Sequence, residues 1–168
     1  MKIGFIGTGI MGSRMAHNLL KNNFSLIIHN RTKEKADSLV KEGAQWKDSP
    51  LEVAKNADII FTMLSEPETV KEVALGEKGF LSGMNKNSLW IDCSTVNPSF
   101  SKEMAKKSFE KGMRFMDAPV AGSKLPAEKG ELIFFVGGTK KDFEEVKPLL
   151  EKMGKKLFTL EKQVKAHQ

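Results

Sequence analysis

Short apolar runs alternate with amphipathic stretches along the chain, and this alternation predicts successive strands and helices. The run Ile3 to Ile6 has the length and composition of a buried strand, and the stretch from Ile10 to Lys21 repeats its apolar side chains at helical spacing. The pattern predicts strands at 3–6, 25–29, 58–63, 88–92, 113–116, 131–136 and 156–159, and helices at 10–21, 33–41, 51–56, 68–73, 98–111 and from 139. This chaining predicts an α/β protein whose mostly parallel sheet is covered by helices on both faces.

The helix at 98–111 carries signals at both of its ends. Asn97 can cap it, Pro98 suits its first turn and Gly112 ends it. The side chains predicted to face inward are Phe100, Met104 and Phe109.

Two later segments are predicted to interrupt the regular structure. Residues 118–130 are predicted to form a loop, and Pro148 is predicted to break the helix that Thr139 starts and to let it restart. We find no internal repeat and no linker, so residues 1–160 are predicted to form a single domain, followed by a polar tail at 161–168.

Composition excludes several classes of protein. With 168 residues, 40% of them hydrophobic, the chain is an ordinary globular protein rather than a disordered or fibrous one. Its 27 basic residues mostly alternate with its 21 acidic ones, which is typical of solvated helix faces and does not indicate a nucleic-acid partner. The apolar start ends at Gly7, too short for a signal peptide or a membrane span, so no export and no membrane contact are expected.

The single cysteine, Cys93, cannot form an intramolecular disulfide, and the three histidines offer no metal-binding cluster. A reducing, cytoplasmic location fits this composition. Cys93 is interpreted as a small buried residue at a strand end, since nothing near it in the sequence would stabilise a thiolate.

A glycine motif follows the first strand and opens the first helix. The residues Gly7, Thr8, Gly9, Ile10, Met11 and Gly12 match G-x-G-x-x-G in the strand–turn–helix context that dinucleotide binding requires. In that reading Gly7 permits the tight turn, Gly9 lets a pyrophosphate approach the backbone and Gly12 lets the helix pack on the strand. The motif therefore predicts a Rossmann-type, doubly wound dinucleotide fold, the alternative being a plain glycine turn.

The residues after the second strand bear on the choice of dinucleotide. An acidic residue there would bind the adenosine ribose and repel a 2′-phosphate, but this chain has Asn30, Arg31 and Thr32. A neutral amide, a guanidinium and a hydroxyl favour NADP over NAD. The alternative is that Asn30 or Thr32 caps a helix while Arg31 lies on the surface, and both can hold at once.

The chain resembles the β-hydroxyacid dehydrogenases, which include 3-hydroxyisobutyrate dehydrogenase and the glyoxylate and succinic semialdehyde reductases. The likeness covers about residues 2 to 160 and rests on four ordered motifs: residues 7–18, 63–65, 91–95 and 117–123. The Asn30–Thr32 triplet and residues 122–128 look most like the NADPH-dependent glyoxylate/succinic semialdehyde reductase branch.

The resemblance implies further cofactor residues. Met63, Leu64 and Ser65 would line the bridge between adenosine and nicotinamide, and Thr95 would touch the nicotinamide end. Both groups follow strands at the edge where open parallel sheets bind ligands. The alternative for Thr95 is a hydroxyl that prepares the helix beginning at Pro98.

The resemblance also implies a substrate loop at Ala121, Gly122, Ser123 and Lys124, whose N–H groups and serine would hold a carboxylate. Ala121 stands where many relatives have serine, so one hydroxyl contact is missing. Lys124 would grip a second carboxylate or would simply be a solvated loop lysine.

Family members are nearly twice as long and place their catalytic lysine in a G-x-G-x-x-x-K segment that opens a second, helical domain. Residues 160–168 contain no such motif, and nothing would aim Lys165, so no catalytic residue is assigned. The resemblance therefore leaves two hypotheses. One is an oxidoreductase domain that transfers hydride between NADPH and a small carboxylate-bearing aldehyde, keto acid or hydroxy acid. The other is a truncated cofactor-binding module with little or no turnover.

A missing helical domain would also expose apolar surface, so self-association through that surface is expected. A Rossmann-like methyltransferase or a flavodoxin-like signalling domain is disfavoured by the paired motifs at 7–18 and 30–32.

Overall fold

The computed structural model describes residues 1–160, and within them the chain forms an α/β sheet packed by helices on both faces. The strands are β1 (Ile3–Ile6), β2 (Leu26–His29), β3 (Gln45–Trp46), β4 (Ile59–Thr62), β5 (Leu89–Asp92), β6 (Arg114–Asp117), β7 (Val120–Ala121), β8 (Leu132–Gly137) and β9 (Gly154–Leu160). The helices are α1 (Ile10–Lys21), α2 (Asp37–Lys41), α3 (Pro50–Ala54), α4 (Pro67–Leu75), α5 (Pro98–Glu110), α6 (Lys124–Lys129) and α7 (Lys140–Met153).

The sheet has the strand order β3-β2-β1-β4-β5-β6-β8, with β7 and β9 also paired to β8. The strands from β3 to β6 are parallel, whereas β8 runs antiparallel to β6 and β7 and parallel to β9. This mostly parallel sheet confirms the predicted fold class. The tail at 161–168, with Lys165, lies outside the described residues.

Alternate residues of the central strands are buried in two separate cores, because helices cover both faces of the sheet. On one face Phe5 and Phe61 pack with residues of α1, α2, α6 and α7. On the other face Trp90 packs with residues of α3, α4 and α5. Strands buried on both sides account for the continuous apolar runs in the sequence.

The helix α5 largely follows its sequence signals. The Asn97 side chain accepts a hydrogen bond of 2.8 Å from the Phe100 N–H, and Met104 is fully buried. The prediction that Phe109 faces inward is wrong, since 41% of it is exposed.

Two of the predicted interruptions are also wrong. The predicted loop at 118–130 contains β7 and α6, and α7 continues without a break through Pro148. The Val146, Leu149 and Leu150 side chains of α7 are fully buried, and this packing outweighs the hydrogen bond that Pro148 cannot make. The predicted capping by Thr139 is confirmed, because its side chain accepts from the Asp142 N–H at 3.1 Å.

Smaller differences occur elsewhere in the chain. The segment predicted as one helix at 33–41 begins with a 3₁₀ turn at Lys33–Ala36 before α2, and β3 and a 3₁₀ turn at Phe80–Ser82 are additional to the predicted elements. Cys93 is fully buried as predicted, and burial raises the pKa of its thiol well above the usual value. Among residues 1–160 no helix is long and apolar enough to cross a membrane, and no cluster of three potential metal ligands occurs.

Candidate functional site

The residues singled out in the sequence gather at one edge of the sheet. Parallel strands end at the same edge, so the segments that follow β1, β2, β4 and β5 lie side by side there. Strand β1 lies between β2 and β4, and the helices that follow β1 and β4 cover opposite faces. The crevice between such diverging connections is where open α/β sheets bind ligands.

The turn after β1 requires glycine at two positions for reasons internal to the protein. Gly7 has a φ of +100°, and a Cβ there would lie 2.3 Å from the Met63 carbonyl oxygen. A Cβ at Gly12 would lie 1.8 Å from the Gly7 carbonyl oxygen. The loop after β4 therefore leaves no room for a side chain at Gly7, and α1 packs so closely on the turn that Gly12 has none either.

Gly9 differs from these two glycines. Its φ is −74°, which any residue can adopt, and a Cβ there would meet no protein atom within 4 Å. Gly9 precedes α1, which has no side-chain N-cap and no acidic residue in its first turn. The N–H groups of that turn have no intrahelical partners, and the helix dipole favours negative charge beside them. The open space at Gly9 thus fits a phosphate group that approaches the helix N-terminus.

Asn30 connects the end of β2 to the glycine turn. Its Oδ1 atom accepts a hydrogen bond of 2.9 Å from the Thr8 N–H, and its Nδ2 atom donates one of 2.9 Å to the Thr32 carbonyl. Thr32 occupies the N-cap position of the following 3₁₀ turn, but its side chain makes no capping hydrogen bond. Arg31 is exposed between them. The amide of Asn30 therefore orders both loops, while the other two side chains project from the edge without a structural role in capping.

A cleft of about 360 Å³ opens beside these loops. Four of the predicted residues line it, namely Gly7, Asn30, Arg31 and Leu64. Its volume lies within the range of about 300–1,000 Å³ typical of small-ligand sites. The other nine predicted cofactor residues lie outside its lining: Thr8, Gly9, Ile10, Met11, Gly12, Thr32, Met63, Ser65 and Thr95. Ile10 is 67% exposed at the start of α1.

The cleft also contains residues that sequence analysis missed. Thr69 and Glu72 come from α4, and Lys78 comes from the turn that follows it. The two α4 residues are three positions apart, so they lie on one face of the helix. The sequence contained this spacing, and it could have identified them as a pair of polar residues facing the same way. Lys78 had no such signal, because its place depends on the Leu51 N–H, which donates to the Lys78 carbonyl at 3.0 Å.

Buried polar side chains join the loops after β4 and β5. The Leu64 N–H donates to Ser94 Oγ at 2.9 Å, and the Ser94 N–H donates to Asp92 Oδ1 at 3.1 Å. Burial raises the pKa of Asp92; hydrogen bonds from Ser94 and Thr62 lower it, and the nearby charge of Asp117 raises it further. Thr95, the next residue, is exposed at the edge. Asn97 rather than Thr95 caps α5.

The predicted substrate loop lies where β7 passes into α6. Ala121, Gly122, Ser123 and Lys124 are all exposed, and the Ser123 side chain makes no capping hydrogen bond. Gly122 has a φ of +132°, and a Cβ there would lie 2.9 Å from Leu132 Cδ2, so its own fold requires glycine.

Helix α6 is held against α1 by a residue to which sequence analysis gave no role. Asn18 is buried, and its Nδ2 atom donates a hydrogen bond of 2.8 Å to the Ala127 carbonyl. The exposed loop at residues 121–124 is therefore anchored to the same helix whose N-terminus adjoins Gly9.

Residues 2–161 match the family described as the NAD binding domain of 6-phosphogluconate dehydrogenase. Among curated proteins, the chain is 44% identical over 160 residues to glyoxylate/succinic semialdehyde reductase 2, chloroplastic, of Arabidopsis thaliana. That match covers 95% of this chain and 45% of the relative. The chain spans about half the length of the curated relatives that it matches.

Solved structures show the same architecture. Psf3 in complex with NADP+ and 2-OPP superposes with a TM-score of 0.91 at 27% identity, covering 98% of this chain and 58% of that one. The 3-hydroxyisobutyrate dehydrogenase of Mycobacterium tuberculosis with L-serine gives a TM-score of 0.89 at 28% identity, covering 94% and 53%. These matches confirm the Rossmann-type fold.

Proposed function

Because the chain belongs to the family of 6-phosphogluconate dehydrogenase NAD binding domains, we propose that it binds NADP(H) at the edge formed by the β1, β2, β4 and β5 ends. The observation that carries this proposal is the open space at Gly9 beside the uncapped N-terminus of α1. The chain's own packing explains the glycines at 7 and 12, whereas the space at Gly9 is left open to a ligand.

The residues after β2 support NADP rather than NAD. The position that would carry an acidic residue holds Asn30, whose carboxamide is fixed by its bonds to Thr8 and Thr32. The exposed Arg31 guanidinium lines the cleft and matches the geometry of a phosphate. Psf3, the structurally similar protein described above, was solved in complex with NADP+.

Other parts of the edge would hold the remainder of the cofactor. The first-turn N–H groups of α1 would bind the pyrophosphate, Met63, Leu64 and Ser65 would line the middle, and Thr95 would adjoin the nicotinamide. When bound, the reduced nicotinamide supplies a hydride.

The loop at residues 121–124 would hold the substrate of the whole protein. Exposed N–H groups around Gly122, the Ser123 hydroxyl and the Lys124 ammonium suit a carboxylate. We assign to that loop a small carboxylate-bearing aldehyde, keto acid or hydroxy acid. The names of the similar proteins, which act on glyoxylate, succinic semialdehyde or 3-hydroxyisobutyrate, support this class.

Within residues 1–160 we assign no side chain to protonate the developing alkoxide. General acid catalysis contributes about 10²–10⁴-fold to such reactions. We therefore expect the 168-residue chain to bind NADPH while turning over substrate slowly or not at all.

Calorimetric titration with NADPH and, separately, with NADH tests the proposal. Succinic semialdehyde and glyoxylate are then added to the same sample, and NADPH oxidation is followed by absorbance at 340 nm. We expect tighter binding of NADPH and little loss of absorbance. Rapid oxidation would show that these residues contain a proton donor or that the reaction does not need one. Failure to bind either nucleotide would contradict the site itself.

The Arg31→Ala variant tests the preference for the phosphorylated nucleotide. Loss of a charge-assisted hydrogen bond should weaken NADPH binding by about tenfold and change NADH binding by less than about twofold. Lys35→Ala is the matched control, because Lys35 is exposed on the adjacent 3₁₀ turn but does not line the cleft. An equal loss for both nucleotides would contradict the role of Arg31.

A further inference from the structure

A chain of hydrogen bonds runs through the core behind the proposed cofactor site. The Trp90 indole N–H donates to Thr62 Oγ1 at 2.9 Å, and the Thr62 hydroxyl donates to Asp92 Oδ1 at 2.9 Å. The same Asp92 oxygen accepts from the Ser94 N–H at 3.1 Å, and Ser94 Oγ accepts from the Leu64 N–H at 2.9 Å. Trp90, Thr62, Asp92 and Ser94 are each at most 1% exposed.

These hydrogen-bonded polar groups lie among strand residues that are otherwise apolar and fully buried. Asp92 ends a strand in which Leu89, Trp90 and Ile91 are fully buried, and its Oδ2 atom has no hydrogen-bond partner within the described residues. Burying a carboxyl group is costly, and an apolar network of similar shape can be as stable as a polar one. Folding alone therefore gives little reason for a carboxyl group at this position.

The outer end of this series of hydrogen bonds lies at the loop after β4. Leu64, whose N–H is held by Ser94, has its side chain in the cleft. The preceding residue, Met63, places its carbonyl oxygen so close to Gly7 that a Cβ there would lie 2.3 Å away. Any shift of this loop would therefore alter both the wall of the cleft and the glycine turn.

We infer that Asp92 is a positioning residue for the nucleotide site: it orients Ser94, which holds the Leu64 N–H and so fixes the loop at 63–65 against the glycine turn. Asp92 does not touch the cofactor itself. The inference rests on the proposed function, and it adds Asp92, Ser94 and Thr62 to the residues on which nucleotide affinity depends.

The Ser94→Ala variant tests this directly, with Ser108→Ala as the matched control. Ser108 is fully buried on α5 and also makes one hydrogen bond, from its Oγ to the Met104 carbonyl at 2.8 Å, but it is remote from the cofactor loops. Both substitutions should lower the melting temperature to a similar extent. Only Ser94→Ala should weaken NADPH binding, by about three- to tenfold.

Variants at position 92 show whether the acceptor atom is what matters. Asp92→Asn keeps Oδ1 available to Thr62 and Ser94, so NADPH affinity should stay within about twofold of the parent protein. Asp92→Ala removes the acceptor and should lose at least as much affinity as Ser94→Ala. If Asp92→Ala does not fold, the comparison of Ser94→Ala with Ser108→Ala decides the question.

The Trp90 indole N–H provides a second measurement. Its NMR signal should respond to NADPH only if Asp92 and Ser94 are coupled to the nucleotide site, and not if they serve the fold alone. The chain has two tryptophans, and Trp46→Phe identifies the signal of Trp90 in a ¹H–¹⁵N spectrum. NADPH should shift that signal in the parent protein and shift it less in saturated Ser94→Ala.

Three outcomes would overturn the inference: unchanged NADPH affinity in Ser94→Ala, equal losses in Ser94→Ala and Ser108→Ala, or an Asp92→Asn protein as weak as Asp92→Ala. Failure of the parent chain to bind NADPH is a distinct result, because it would contradict the proposed function first.

Discussion

At the scale of single residues, glycines of the same motif have different reasons to be glycine. Gly12 is required by the fold, since its Cβ would overlap the Gly7 carbonyl, whereas Gly9 faces open space at an ordinary φ. Identical substitutions at the two positions therefore separate folding from ligand binding.

Gly9→Ala should leave the melting temperature nearly unchanged, because the loss of a favourable N-cap residue and the lower entropy of the unfolded chain roughly cancel. Its methyl group would lie where a pyrophosphate approaches, so NADPH affinity should fall by about tenfold or more. Gly12→Ala should instead cost about 3 kcal/mol or more of stability. Calorimetry and thermal unfolding of both variants measure these effects, and normal NADPH binding by Gly9→Ala would contradict the assignment of that space.

The raised pKa of Asp92 predicts how the stability of the protein depends on pH. Burial raises its pKa above the ordinary value of 3.8, so the folded protein holds this proton more tightly than the unfolded chain does. The contribution of Asp92 to stability should be greatest below pH 3.8 and should fall as the pH rises towards the raised pKa. At pH values above the raised pKa it should stay constant.

Asp92→Asn cannot titrate, so the free energy of unfolding of the parent protein should decrease relative to this variant across that interval. Denaturant unfolding of both proteins from pH 4 to pH 8 measures the difference. A difference that does not change with pH would contradict the direction of the pKa shift.

At the scale of elements, the sequence predicted segments with a clear apolar pattern well and segments without one poorly. Helix α1 and strands β1, β4 and β5 were predicted within one residue at each end, because α1 repeats its apolar side chains at helical spacing and each strand lies in a short apolar run. Helix α6 was predicted as loop because it has six residues, with Pro126 among them, and its order depends on contact with α1. Helix α7 shows the same limit, since only tertiary packing explains why it continues through Pro148.

The attachment of α6 to α1 can be tested at Asn18. Asn18→Ala removes the hydrogen bond to the Ala127 carbonyl and should cost about 1–3 kcal/mol of stability. Amide hydrogen exchange should become faster in residues 122–130, because that segment loses its anchor. Asn22→Ala is the control, since the Asn22 side chain donates to the Asn18 carbonyl within α1 and makes no bond to α6. Unchanged exchange in Asn18→Ala would contradict the anchoring role.

Part of the candidate site could likewise be read from the sequence and part could not. The glycine motif and Asn30 to Thr32 have local signatures, and of these residues Gly7, Asn30 and Arg31 line the cleft. Ser94 and Asp92 stood within a motif that sequence analysis quoted, but their role depends on the pairing of β4 with β5, which no local pattern reveals.

At the scale of the whole molecule, an exposed aromatic pair lies on β8 and β9. Phe135 and Phe158 stack with ring centroids 5.7 Å apart and are 36% and 49% exposed. Exposed aromatic pairs favour association with other apolar surfaces.

We expect weak self-association of the 168-residue chain through the Phe135–Phe158 pair. Sedimentation velocity over a range of concentrations should show reversible association that Phe158→Ser reduces. Phe109→Ser is the control, because Phe109 is 41% exposed on α5. A monomer at all concentrations would refute the expectation.

The direction of β1 has a practical consequence for measuring nucleotide binding. Met1 is 62% exposed, and the adjacent Lys2 N–H is fixed by Asp58 at 2.9 Å, so the chain enters the sheet at the edge opposite the cleft. Four strand residues, about 13 Å, separate the two edges. A tether attached at the amino terminus would therefore hold the protein on a sensor surface with its cleft turned towards the flowing solution.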